Sequence, residues 1–195
     1  MKKLLFLLLV AFVAMPVMAQ LSEAEKDFAI KYLTSTHEDI VNTASELSDE
    51  AWNYTPKEGG WSAANCLEHI LITEQAFFGM AQGTLQSEVI ADLDMSGMDG
   101  MLIGMLANRG TKVTTAPQFE PSGKWNTKAE MLAALEASRE ALINFIETTD
   151  ADARHHKAAL PFGEVDAYQL FLIISAHSQR HTAQMKEVLG EYSAM

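Results

Sequence analysis

Apolar residues recur at steps of three and four along four stretches of the chain, the spacing that gathers them on one face of an α-helix. The first stretch begins at Ser22 and runs to about Leu47, with Phe28, Leu33, Ile40, Ala44 and Leu47 on its stripe. The second follows the turn-rich run Pro56-Lys57-Glu58-Gly59-Gly60, takes Ser62 as its N-cap, and carries Leu67, Ile70, Leu71, Phe77 and Phe78. The third opens at Thr127 and is striped by Leu132, Leu135, Leu142 and Ile146. The fourth opens near Asp166 and is expected to stop at Leu189-Gly190, since glycine suits a helix end. Three of the four starts place Glu or Gln three residues after the cap (Ser22/Glu25, Thr127/Glu130, Asp166/Gln169), the capping-box arrangement.

Between the second and third helices lies a stretch from about Gly83 to Trp125, rich in glycine and interrupted by Pro117 and Pro121. A plain loop of about forty residues would be out of place in a compact domain. A short helix is therefore expected around Met101–Asn108. No alternating run longer than a few residues suggests a strand. The expected fold is all-α: a four-helix bundle with a long crossover between the second and third helices.

The N-terminus reads differently. Lys2 and Lys3 precede an apolar run over 4–14, and Val17 and Ala19 are the small residues of a cleavage site. Residues 1–19 are thus expected to be a signal peptide, leaving 20–195 as one domain. The protein would be exported, periplasmic or secreted, with no stable membrane insertion once that segment is removed. The net charge of −12 becomes −14 without it. Such a charge argues against nucleic acid or an anionic lipid surface as the main partner. A single cysteine, Cys66, rules out an intrachain disulfide and any Cys-Cys zinc site, and its apolar surroundings predict a buried, inert thiol.

The chemistry concentrates in the last helix, whose core-facing stripe reads Leu170, Ile174, His177, His181, Gln184, Val188. Residues four apart on a helix stand about 5–6 Å from one another, so both imidazoles can converge on one point. Burying polar groups without partners costs about 1–3 kcal/mol each, and two inward histidines need something to satisfy them. A divalent metal would do so if another helix added a third ligand. Spacing offers two candidates, His69 on the second helix and His37 on the first. Glu74 also faces inward and is positioned to orient an imidazole or hold a water, or else to pair with a lysine. His155 and His156, beside Arg154 and Lys157, read as solvated. A zincin protease is excluded, because Ser178 stands where His-Glu-x-x-His needs its glutamate. Met95, Met98, Met101 and Met105 recur at helical intervals and either pack a short helix or offer thioethers to Cu(I). Covalent haem is excluded by the lack of a Cys-x-x-Cys-His motif.

Trp61-Ser62, Cys66-Leu67-Glu68-His69-Ile70 and Ala176-His177-Ser178-Gln179-Arg180-His181-Thr182-Ala183-Gln184 together resemble the DinB/YfiT-like superfamily. The segments Arg109-Gly110-Thr111-Lys112, Ala116-Pro117 to Pro121, and Pro161-Phe162-Gly163 are similar to its DinB-like members, and the likeness runs from about residue 22 to 190. The resemblance implies a four-helix bundle holding a divalent metal, zinc or nickel, on one histidine of the second helix and two of the last. Carried over, these are His69, His177 and His181, with Gln184 matching the glutamine that follows the last ligand. It further implies a metal-dependent hydrolase acting on a small molecule, or a thiol-dependent transferase, and is compatible with a homodimer. A non-catalytic metal- or ligand-binding module of the cell envelope is the alternative from another class. Ser178 departs from the glutamate common at that position and leaves the general base unassigned.

Overall fold

The structure, a computed structural model, describes residues 20–195, and the segment read as a signal peptide lies outside the described residues. Six α-helices follow one another as α1 (Glu23–Ala44), α2 (Asp49–Asn53), α3 (Ala63–Thr84), α4 (Asp99–Ala107), α5 (Lys128–Thr148) and α6 (Ala167–Ser193). Among the described residues no helix is long and apolar enough to cross a membrane. Four of the helices make the bundle. Going around it, α1 packs on α6, α6 on α3, α3 on α5 and α5 on α1, so that α1 and α3, like α5 and α6, lie on diagonals. Helix α4, the short helix foreseen in the crossover, lies on α6.

The caps form as their chemistry dictates. Ser22 and Glu25 satisfy each other's amides at the start of α1, as do Asp166 and Gln169 at the start of α6. Ser62 finds a reciprocal partner in Asn65. Thr127 caps α5, but the Glu130 carboxylate reaches one residue further back, to the Asn126 amide. Two helix ends differ from expectation. Helix α1 stops at Ala44, and the chain turns into α2 under a new cap, Ser48. Helix α6 runs through Gly190 to Ser193, since a Cβ there would meet nothing and the residue needs no left-handed turn.

The bundle interior has two apolar clusters. One contains Leu33, Leu142, Ile146, Phe171 and Ile174; the other Ile40, Leu67, Ile70, Leu135 and Met185. Along each bundle helix a polar residue sits between them: Thr36 on α1, Glu74 on α3, Arg139 on α5 and Ser178 on α6. Arg139, 2% exposed, reaches all three other helices. Its Nη1 donates to the Leu33 carbonyl and Thr36 Oγ1, both at 3.1 Å, and its Nη2 donates to Ser178 Oγ at 2.6 Å and lies 2.8 Å from Glu74 Oε2. Burial pulls the Arg139 guanidinium below its ordinary pKa, and the charge of Glu74 opposes that pull.

Four details add to or depart from the sequence reading, the all-α bundle itself standing. A two-stranded antiparallel hairpin, β1 (Lys157–Leu160) and β2 (Gly163–Asp166), precedes α6, with Lys157 opposite Asp166 and Leu160 opposite Gly163. Gly163 holds φ 140°, a conformation that side chains resist, and this closes the turn after Pro161-Phe162. His156 is buried rather than solvated, its Nδ1 3.4 Å from the Ser87 hydroxyl; His155 stays half-exposed on Asp152. Met98, Met101 and Met105 are exposed and Met95 is half-exposed, the face of α4 packed on the bundle being Leu102, Ile103 and Leu106. Phe28 is also half-exposed, its place in the core being taken by Ala29.

Candidate metal centre

His177 and His181 stand one turn apart on α6, and the α3–α6 contact brings His69 against them. The ring centroids are 4.5 Å apart for His177–His181 and His69–His181, and 4.9 Å for His69–His177. One ligand nitrogen from each ring lies within 4.8 Å of the other two. His69 and His181 are buried, and Trp61 closes one side, its ring 4.6 Å from His69 and 5.7 Å from His181. Phe77 stands 6.5 Å from His177 on another side.

The hydrogen bonds at the far nitrogens decide which nitrogen of each ring is bare. His69 Nδ1 is 2.7 Å from the Phe119 carbonyl, which can only accept, so Nδ1 carries the proton. His181 Nδ1 is 2.9 Å from Gln184 Oε1, and the same oxygen faces an Arg109 guanidinium nitrogen, which can only donate. That fixes the amide's orientation and puts the His181 proton on Nδ1. Thr73 Oγ1 gives its own proton to the His69 carbonyl at 2.7 Å and is left to accept from His177 Nδ1 at 3.2 Å. All three Nε2 atoms therefore present lone pairs, and those of His69 and His177 face each other at 3.2 Å. Two lone pairs at that distance repel unless a cation lies between them. Tetrahedral ligation at about 2.0–2.1 Å would hold two imidazole nitrogens about 3.3 Å apart. The donor set thus suits a divalent ion, with one hydrogen-bond acceptor orienting each ring.

The rings are kept neutral. Burial, and then the neighbouring rings, hold His177 well below its ordinary pKa of 6.5. Burial and His69 bring His181 down to about 3, and burial lowers His69. A pH dependence follows for chelator-stripped protein. The unfolded chain takes protons on these imidazoles near pH 6.5, while the folded chain resists until near pH 3 at His181. The unfolded state thus binds more protons between those values, so stability should fall as pH drops below about 6.5. Denaturation at several pH values should show a shallower fall in His181→Asn than in the parent. An identical slope in both would show that this ring is not held neutral.

Of the other residues singled out, Gln184 is at the centre, as His181's acceptor. His37 is not: α1 turns it toward α5, where Nε2 lies 3.0 Å from Glu136. Glu74 is buried as foreseen, but it serves neither an imidazole nor a lysine and faces Arg139. The expectation of an inert cysteine agrees with a fully buried Cys66, whose thiol burial pushes up to about 12. Sequence reasoning missed Thr73 and Phe119. Thr73 lies four residues after His69 and could have been found as its neighbour on the helix face; Phe119 contributes a main-chain carbonyl, which leaves no side-chain signature.

Residues 32–185 match the DinB superfamily. The uncharacterized protein YuaE of Bacillus subtilis (strain 168) is 24% identical over 148 residues, which span 75% of this chain and 88% of YuaE. Among solved structures, YfiT from Bacillus subtilis, described as a probable metal-dependent hydrolase with an unusual four-helix bundle topology, aligns with a TM-score of 0.62 at 15% identity. The alignment covers 89% of this chain and 90% of YfiT, and at that identity it speaks to the fold. The match runs from the middle of α1 almost to the end of α6 and takes in all three converging histidines, and the chain belongs to the DinB superfamily.

Proposed function

We propose that the protein is an exported metal-dependent hydrolase acting on a small molecule, with zinc or nickel held by His69, His177 and His181. The observation that carries this reading is the convergence of three bare Nε2 atoms, each on a ring oriented from behind. The likeness to YfiT supports it, and the basic-then-apolar N-terminal segment supports export. Three neutral ligands are a catalytic rather than a structural complement, since structural sites close with a fourth. A bound divalent ion would supply Lewis-acid activation of water and of a carbonyl or phosphoryl oxygen.

The residues around the rings divide the remaining work. Phe119, Thr73 and Gln184 fix the three tautomers, so that no proton must be displaced from a ligand nitrogen. Trp61 and Phe77 offer aromatic walls to a small substrate. Ser178 does not act as a base, because its hydroxyl donates to the Ile174 carbonyl and accepts from Arg139 in the core. Glu68 and Glu74, the carboxylates flanking His69 and Thr73 in sequence, hold loop amides and Arg139 respectively.

Elemental analysis of purified protein tests the site. About one equivalent of zinc or nickel is expected per chain, with little left in His177→Ala. Turnover of simple ester or phosphoester substrates should vanish with chelator and return with the ion. An unchanged metal content in His177→Ala would remove the basis of the proposal.

A further inference from the structure

Glu68 is an anomaly. It is 2% exposed, lies in the first turns of α3, and pairs with no lysine or arginine among the described residues. One of its oxygens instead accepts the main-chain N–H groups of Ser122, at 2.9 Å, and Lys124, at 2.8 Å. Both belong to the crossover, and the Lys124 ammonium itself turns away to Gln75. Burying a carboxylate on two loop amides is costly, and the loop position it secures must offset that cost.

The clamped segment begins three residues after Phe119, whose carbonyl receives the Nδ1 proton of His69, and His69 is the next residue of α3 after Glu68. The two adjacent side chains thus hold one stretch of loop from both ends: Glu68 grips its amides and His69 its carbonyl. Elsewhere the crossover is pinned at Asn108 and Thr111, whose carbonyls accept from Arg180. Only the 119–124 stretch, however, bears on a ring nitrogen of the imidazole cluster directly. Without the clamp, two-proline, one-glycine loop backbone would have to hold the Phe119 carbonyl in place unaided. The His69 ring could then rotate or exchange tautomer.

We propose that Glu68 is a positioning residue of the metal centre. By fixing the crossover at Ser122 and Lys124 it keeps the Phe119 carbonyl on His69 Nδ1 and so keeps His69 Nε2 bare and aimed at the cluster. This rests on reading the three imidazoles as ligands, and it makes the long crossover part of the metal centre.

The test compares Glu68→Ala, Glu68→Gln and Ser122→Pro with the parent, using Glu130→Ala as a control that loosens the start of α5 without touching the clamp. Imidazole nitrogen NMR of metal-free protein should show His69 locked in its Nδ1–H tautomer in the parent and in Glu68→Gln, whose amide oxygen still accepts both N–H groups. Glu68→Ala should show a mixture. Zinc affinity by chelator competition should fall about 10–100-fold in Glu68→Ala and Ser122→Pro, the range for losing a partner behind a ligand, and stay within about threefold in the others. Parent-like tautomer and affinity in Glu68→Ala would overturn the proposal. So would a loss in Glu68→Gln equal to that in Glu68→Ala, since charge rather than the clamp would then be responsible. Should Glu68→Ala fail to fold, parent-like zinc affinity in Ser122→Pro overturns it. Zinc binding indifferent to His177→Ala would sink the ligand assignment instead, while the tautomer measurement still reads the clamp.

Discussion

Replacing Arg139 with methionine is expected to cost about 3–5 kcal/mol of folding stability, the range for stranding one partner of a buried ion pair. The guanidinium is where the four bundle helices meet, and no other cation is paired with Glu74 among the described residues. The pair is already imperfectly satisfied. Arg139 Nε has no hydrogen-bond partner among the described residues, and the Glu74 carboxylate meets only the guanidinium, at 2.8 Å. Ser175 Oγ, one turn before Ser178, is likewise unpartnered. Such a layer contributes little net stability while punishing any single deletion. The double variant Glu74→Leu/Arg139→Met should therefore recover most of the loss and return to within about 1 kcal/mol of the parent. Urea unfolding of the parent, both single variants and the double variant closes the cycle. A cost below about 1 kcal/mol for Arg139→Met, or a double variant no better than the worse single, would show that the layer is not an electrostatic unit.

That same layer shows how far the sequence could be read. The four bundle helices were legible because caps and stripes agreed: Ser22 with Glu25, Asp166 with Gln169, and the apolar steps between. The His177–His181 pair stood out because it interrupts an apolar stripe, an interruption that costs energy unless something compensates it. Arg139 interrupts its stripe in the same way, following Leu135 by four and preceding Leu142 by three, and the same logic applied to α5 would have found it. The hairpin escaped because four-residue strands offer too few alternations to register, and its turn depends on one glycine. His156 escaped too, since it stands in a charged run that reads as solvated, yet it is buried beside the Ser87 hydroxyl. The distinction between His69 and His37 lay beyond spacing altogether. Both fall on helix stripes, and both of their helices pack on α6; the resemblance pointed to His69, and in the structure it is the turn of His37 toward Glu136 on α5 that separates them. Main-chain partners such as the Phe119 carbonyl depend on where a loop comes to rest, which no side-chain pattern encodes.

The metal centre should also be visible as stability. Zinc at about a thousand times its dissociation constant is expected to stabilise the folded protein by about 4 kcal/mol, through preferential binding to the folded chain. For a domain of this size that corresponds to a rise of about 10 °C in the unfolding midpoint. The folded chain holds the three rings together before any ion arrives, with one ligand nitrogen of each within 4.8 Å of the others and the Nε2 atoms of His69 and His177 3.2 Å apart. Binding then relieves their mutual repulsion. In the unfolded chain the same rings are dispersed and, below about pH 6.5, increasingly protonated, so competition for zinc by that state is weak. The rise should disappear in His177→Ala and His181→Ala, each of which leaves two ligands. It should persist in His37→Ala, whose ring is engaged with Glu136 on the α1–α5 side of the bundle. Thermal unfolding with and without zinc in these four proteins distinguishes a centre from adventitious binding. An equal rise in all four would place the ion elsewhere on a strongly acidic surface, and a rise lost in His37→Ala but kept in His177→Ala would reverse the assignment of the ligands.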